Sequence, residues 1–366
     1  MGWTRRAVLA SGALALSGCS ASLRAGPNTA QSTIGGGVDA TVGFGGDAML
    51  GRSVTDRWAG RDAAGVWGGL RSRLQSLDGF VCNLECCISE GGERWPDKVY
   101  YFRAAPDFAV PALEAAGTSC VSLANNHALD FGESALSDTL GHLDDAGIGA
   151  AGAGPDREAA LEPAVVRAGE VTVAVVALTD QFRPYRAGLA SPGTAYLRLD
   201  TGAERTLREV RSALSRAREA DPDLVVASLH WGPNWVIAPD RTQQRLARWL
   251  VDRGVDVVHG HSAHVLQGVE VYRGRPILYD TADIVDDYVV KESLHNDRSA
   301  LFELVVEDGQ FAGVRVVPVV IEDETVGPTD GDAAEWVRDR VRTLSGEFGT
   351  PMERDGSALW IPLADR

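Results

Sequence analysis

The sequence predicts an α/β fold with a parallel core and an antiparallel flank. Short apolar runs alternate with amphipathic segments of helical period from Thr41 to Val258, which is the pattern of successive βα units. Beyond Leu266 the alternation stops, and apolar runs instead pair around the turns Arg273-Gly274 and Asp308-Gly309, as hairpins do. No internal repeat is visible.

Thr41-Val42-Gly43-Phe44 is the first strand and delivers Gly45 to Arg52 at its end. Leu70, Leu74 and Leu77 predict a helix by their spacing. Phe80-Val81-Cys82 is the second strand, followed at once by Asn83-Leu84-Glu85. A helix around Phe108 to Ala116 leads through Gly117 into the strand Cys120 to Leu123, which runs into Ala124-Asn125-Asn126-His127. Leu136, Leu140 and Leu143 mark another helix. Val165-Val166 and Val171 to Leu178 read as a hairpin, and Ala203 to Ala220 as a solvated helix. The strand Leu224 to Leu229 ends in His230-Trp231-Gly232, and the helix Arg241 to Asp252 precedes the apolar run Val255 to Val258. That run ends in His259-Gly260-His261-Ser262-Ala263-His264. Hairpins at Val269 to Tyr279 and Leu301 to Val320, a helix from Ala333 to Leu344 and a short strand near Leu359-Trp360-Ile361 complete the chain. No strong linker divides it: residues 38–325 form the main domain, and 326–366 a helix and strand packed on it.

The chain has 366 residues, 45% of them hydrophobic, enough for a sizeable core. Its net charge of -16 argues against nucleic-acid binding, because phosphate backbones need a basic surface. Only Lys98 and Lys291 are lysines; the other basic residues are arginines.

The first residues are a targeting segment. Arg5-Arg6 precede an apolar run, Ala7 to Leu16, too short to span a bilayer, as in a twin-arginine export signal. Leu16-Ser17-Gly18-Cys19 resembles a lipobox, so 1–19 reads as a lipoprotein signal with Cys19 lipidated, and 20–37 as a flexible tether. The rival reading is an ordinary secretory peptide with a chance cysteine. Either places the protein outside the cytoplasm, and the lipid places it on the cell membrane. Of the remaining cysteines, Cys82 and Cys120 would form a disulfide if their strands are neighbours; otherwise all four are small buried thiols.

Five predicted strands end in polar residues of metal-ligand type: Asp47, Glu85, Asn126-His127, His230, and His259/His261/His264. The carboxyl edge of a parallel sheet is where ligands bind. Carboxylates, imidazoles and an amide together suit one or two divalent ions of Mn, Fe or Zn type, which activate water and clamp a phosphoryl or carbonyl oxygen. Taken singly, each has a bland alternative: a helix cap, a solvated charge, a satisfied core histidine.

The motifs Gly46-Asp47-Ala48-Met49-Leu50-Gly51-Arg52, Asn83-Leu84-Glu85, Leu123 to Gly132, His230-Trp231-Gly232 and Gly260 to Gly268 resemble, in order and spacing, those of the CapA family of capsule and poly-γ-glutamate biosynthesis proteins. That family is related to calcineurin-like metallophosphoesterases, and the similarity runs on through Tyr279 to Tyr288. The resemblance implies a four-layer α-β-β-α metallophosphoesterase-like sandwich with mixed sheets. It implies Asp47, Glu85, Asn126, His230, His261 and His264 as metal ligands, with Glu85 in the bridging place and His259 behind them. His127 would stabilise a transition state or protonate a leaving oxygen, and Arg52 would hold an anionic group. Three departures stand out: Met49 replaces a histidine that phosphoesterases carry, two residues rather than one separate His261 from His264 so that His259-Gly260-His261 offers a competing His-x-His spacing, and Ala282-Asp283-Ile284 lacks the glycine that often precedes this polar residue.

Two functions of different class follow. One is a metal-dependent hydrolase of a phosphoester or polymer amide at the outer membrane face, with an anionic cell-surface polymer as ligand and a membrane synthase complex as partner. The other is a non-catalytic assembly factor that binds the polyanionic polymer and keeps the metal fold. A lipoprotein for a small solute is a third option, disfavoured by so many imidazoles and carboxylates after strand ends.

Overall fold

The structure, a computed structural model, describes residues 37–363. The export signal, the lipobox and the tether as far as residue 36 lie outside the described residues.

Two sheets stack face to face. The larger runs, in spatial order, through Glu353–Asp355, Ala358–Pro362, Gln310–Glu322, Arg298–Glu307, Ala40–Ala48, Gly79–Leu84, Thr118–Ser122 and Gly149–Ala151. The last four are parallel neighbours, and Asp283–Val285 lies parallel to the end of Ala40–Ala48. The smaller sheet runs through Val269–Tyr272, Arg275–Leu278, Val257–His261, Leu224–His230, Val171–Thr179 and Ala164–Ala168, with parallel pairing in its centre.

Side-chain alternation explains the layers. In Val171–Thr179, Val171, Val173, Val175 and Ala177 face the middle layer, where they meet Val42, Phe44 and Val81 of the larger sheet. Ala174, Val176 and Leu178 face the other way, onto the helices Glu204–Glu219 and Arg241–Val251. On the far side of the larger sheet, Phe80, Cys82 and Val121 pack under the helices Pro106–Ala115 and Gly132–Asp145. The order is helices, sheet, sheet, helices, and each buried Val or Leu in these layers stabilises the fold by about 1.5–3 kcal/mol.

Local signals explain the helix ends. Asp240 accepts from the backbone N–H groups of Thr242 and Gln243 while Gln243 reaches back to Asp240, a capping box that starts Arg241–Val251. The C-terminal segment joins the same core: Ala358–Pro362 pairs with Gln310–Glu322, and Val337 and Val341 of the helix Gly331–Gly346 enter the middle layer. Among the described residues no helix is long and apolar enough to cross a membrane.

Two expectations are corrected. The leucines at 70, 74 and 77 do not share one helix; a 3-10 stretch, Ala63–Leu70, is kinked at Gly68, and only a short helix, Arg71–Leu74, follows. Gly68 takes a positive φ of 42°, and the Gly68-Gly69 pair cannot hold a regular helix there. The disulfide does not form, although its two strands are neighbours. Cys82 pairs with Val121 rather than Cys120, so the two thiols lie on opposite faces of the sheet. All four cysteines are free and buried, and burial pushes the Cys120 thiol up to about 12.

Candidate metal centre

Strand register assembles the centre. In the larger sheet Asp47 stands opposite Asn83 on one side and Asp283 on the other. In the smaller sheet His230 stands opposite His261. Asp47, Asn83, His230 and His261 lie at the carboxyl ends of their strands and Asp283 at the start of its own, so the two stacked sheets bring five polar side chains to one rim, and the loops beyond add Glu85, Asn126, His127 and His264.

The close approach of backbone requires glycine at two points. A Cβ on Gly46 would lie 1.7 Å from the Ala282 carbonyl oxygen, and one on Gly260 would lie 2.1 Å from that of Tyr279. Ala282 itself has φ +59°, so the turn a glycine would favour is kept at an alanine. Arg52, Trp235, Ser262 and His264 also take positive φ, and this concentration of strained backbone surrounds the rim.

Two donor groups form there, each with ligand atoms within 4.8 Å of one another: Asp47, His230 and His261, and Asp47, Glu85, His264 and Asp283. All are buried, and Asp47 belongs to both. One Asp47 oxygen lies 3.1 Å from His261 Nδ1 and accepts from Asn83 at 2.8 Å; the other lies 3.3 Å from His264 Nδ1. Asn126 Oδ1 sits 2.9 Å from His230 Nε2, and His264 Nδ1 sits 2.8 Å from Asp283. Asp47 is common to both groups, and Glu85, which the resemblance gives the bridging place, belongs to the second and lies 3.7 Å from His230 of the first.

His259 belongs to neither group. Its Nε2 is 2.9 Å from the Gly45 carbonyl, and the Ser228 hydroxyl lies between its Nδ1, at 3.3 Å, and His261 Nε2, at 3.0 Å. It links the strand ends through Gly45 and Ser228. Met49 is packed in the apolar core, and Asp283 supplies a carboxylate to the rim.

Burial disfavours charge on every one of these groups, and the partners decide the outcome. Burial pushes Asp47 up, but hydrogen bonds to His230, His261 and His264 hold its carboxyl well below the usual range. Burial and the neighbouring Asp47 charge raise Glu85 well above it. Burial lowers His264, yet the carboxylates of Asp283, Glu85 and Asp47 outweigh it and raise the imidazole well above its ordinary value. Burial brings His230 down to about 4. Glu85 Oε1 is buried with no hydrogen-bond partner. An orphaned acceptor amid carboxylates and imidazoles is what a cation would satisfy, so these buried groups can hold a metal ion.

His127 borders the centre and stacks on Phe102, ring centroids 3.7 Å apart. Its Nδ1 is 2.7 Å from Asp130, whose carboxyl is held below the usual range: burial would raise it, but His127 and Lys98 outweigh burial. An ionised Asp130 accepts, so Nδ1 donates and Nε2 is left as the acceptor. Burial lowers the imidazole to about 4, so it is neutral near pH 7. Asp130 also accepts from Lys98, Tyr185 and the Phe102 N–H.

A cavity of 660 Å³ opens beside the centre, bordered by Asn126, His127 and His264 within and by Val99, Tyr100 and Lys291 outside. Arg52 lines it but is not free: its guanidinium forks onto Asp287, which also accepts from Ser53, and lies over Phe102. The anion-holding role expected of Arg52 thus meets a carboxylate already in place. Sequence reasoning assigned no role to Asn83, Asp130 or Trp235. Asn83 and Asp130 stand inside quoted motifs, three residues or fewer from assigned ones. Trp235 carried no signal, because it reaches His264 across a loop, ring centroids 5.2 Å apart.

A profile described as "Bacterial capsule synthesis protein PGA_cap" matches residues 41–288, a span that takes in every residue of both donor groups. The chain belongs to the PGA_cap family. Its relatives include a "Probable polyglutamine synthesis accessory protein" of Mycobacterium tuberculosis, 33% identical over 353 residues, covering 84% of this chain and 92% of that protein. "PGA biosynthesis protein CapA" of Bacillus subtilis is 26% identical over 80% of this chain and 74% of its own length. "Capsule biosynthesis protein CapA" of Bacillus anthracis is 28% identical over 77% and 68%. The four-layer sandwich with mixed sheets is the metallophosphoesterase-like fold the motifs imply for this PGA_cap chain.

Proposed function

We propose that this PGA_cap protein is a metal-dependent hydrolase acting on an amide or phosphoester of an anionic cell-surface polymer. In this reading it is exported by the twin-arginine route, held to the outer membrane face through a lipid on Cys19, and works beside a membrane synthase complex. The observation that carries the chemistry is the pair of buried donor groups sharing Asp47 and opening on a cavity bordered by His127.

Asp47, Glu85, Asn126, His230, His261, His264 and Asp283 would hold one or two divalent ions of Mn, Fe or Zn type. Such an ion polarises a phosphoryl or carbonyl oxygen and makes water a stronger nucleophile. The neutral His127 ring takes a proton at Nε2 and passes it to the departing oxygen or nitrogen. Asp130 fixes the tautomer and stabilises the imidazolium that forms. Phe102 holds the ring plane, and the buried surroundings keep bulk water from competing for these hydrogen bonds.

The second reading, a polymer-binding assembly factor without turnover, is favoured by the relatives' names, one of which is an accessory protein. One assay separates them. The full chain is loaded with Mn and tested on a phosphodiester and on poly-γ-glutamate. Turnover that His127→Ala abolishes supports the hydrolase; no turnover, with polymer binding that survives His127→Ala, supports the assembly factor.

A further inference from the structure

The chain contains two lysines and 33 arginines among its 35 basic residues. Both lysines line the cavity beside the donor groups, although 193 positions separate Lys98 from Lys291. A protein of net charge -16 must supply local positive charge wherever it admits an anion.

Two of the three basic groups in the cavity are already neutralised. Arg52 is forked onto Asp287. Lys98 is buried against the Tyr185 and Phe182 rings, with its ammonium given to Asp130 and to the Asn126 carbonyl oxygen. Lys291 differs. Among the described residues it has no acidic partner, and its ammonium rests 4.4 Å from the centre of the Trp235 ring. Trp235 is fixed in turn: its backbone is left-handed, its N–H donates to the Ala263 carbonyl at 2.8 Å, and its indole packs on His264 and Tyr288. One indole ring therefore separates an unpaired cation from a member of the donor group. Around it the rim is apolar, with Val99, Tyr100 and Val289 exposed. Asp97 is the one acidic side chain of the cavity lining without an ion pair among those described.

We propose that Lys291, seated on Trp235, is a specificity subsite that binds a carboxylate of the polymer next to the bond held at the donor groups. The inference rests on the polymer reading above and deepens it. An ammonium on an aromatic face is held by the ring quadrupole and keeps its outward hydrogens for a second partner. A compact cation on a flexible stem meets successive carboxylates of a repeating chain without demanding one fork geometry. Apolar Val99, Tyr100 and Val289 then offer contact to the uncharged backbone between them.

The test is calorimetric titration of the full, Mn-loaded chain with poly-γ-glutamate at low and high salt, and separately with inorganic phosphate as the probe of the donor groups. Lys291→Gln is expected to weaken polymer binding about tenfold at low salt, equivalent to about 1.4 kcal/mol, and to flatten its salt dependence. Lys291→Arg should restore binding, Asp97→Asn should tighten it, and phosphate binding should be unchanged in all three. Wild-type polymer affinity in Lys291→Gln, or an equal loss of phosphate binding, overturns the subsite while leaving the polymer reading intact. A wild-type chain that binds phosphate but no polymer overturns the polymer reading and the subsite with it.

Discussion

The floor of the cavity and its mouth are built on opposite terms. On the floor, Asp47, Glu85, His230, His261, His264 and Asp283 are at most 4% exposed, and Asp47 alone is approached by three histidines and Asn83. At the mouth, Val99 and Val289 are more than four-fifths exposed and Lys291 touches one ring. On the floor Asp47, His230, His261 and His264 hold one another's orientations, so one change there misplaces several. At the mouth a change alters what is bound and little else. In the function proposed above, the floor would supply the chemistry and the mouth the choice of ligand.

The largest effect short of removing a donor is expected at the junction of the two regions. His127→Ala should lower kcat by about 10²–10⁴-fold, the usual contribution of a positioned proton-transfer group, with metal content unchanged. Loss of metal along with activity would place His127 in the floor instead. Next is the pH dependence of metal uptake. Glu85 and His264 both have raised pKa values, so in the metal-free protein each keeps its proton to higher pH than an ordinary carboxyl or imidazole. Metal must displace those protons; affinity therefore falls as pH drops, by up to about tenfold per unit for each proton displaced. Titrations in buffers of different ionisation enthalpy measure the protons released, and a release of zero near neutral pH would contradict these shifts.

A smaller effect separates two histidines only two positions apart. His261→Ala should weaken metal binding strongly. His259→Ala should retain the metal but lose the bracing of Gly45 and Ser228, a destabilisation of about 1–3 kcal/mol. Equal metal loss in the two variants would move His259 onto the floor. The mouth variants at Lys291 come last, with the tenfold shift in polymer affinity already given and no change in folding.

The same contrast explains what was legible beforehand. Strand ends and most helices follow from apolar periodicity, the four layers follow from the resemblance of the motifs, and the floor follows because polar residues directly after apolar runs gather at one sheet edge. Asp47 as the shared carboxylate was not legible. It depends on which strands lie side by side, and only the register that sets Asp47 between Asn83 and Asp283 reveals it. The free thiols depend likewise on register, since a slip of one residue puts Cys82 and Cys120 on opposite faces. The mouth was least legible: Arg52 is claimed by Asp287, 235 positions away, and Trp235 meets Lys291 only through the fold.

The central claim is that Asp47 joins two donor groups into one metal centre. Metal content per chain after Mn loading and desalting, measured by native mass spectrometry on wild type and Asp47→Asn, tests it most directly. One or two ions in the wild type and markedly fewer in Asp47→Asn, with both proteins folded by circular dichroism, is the predicted result. No metal in the wild type, or the same content in both proteins, would contradict it.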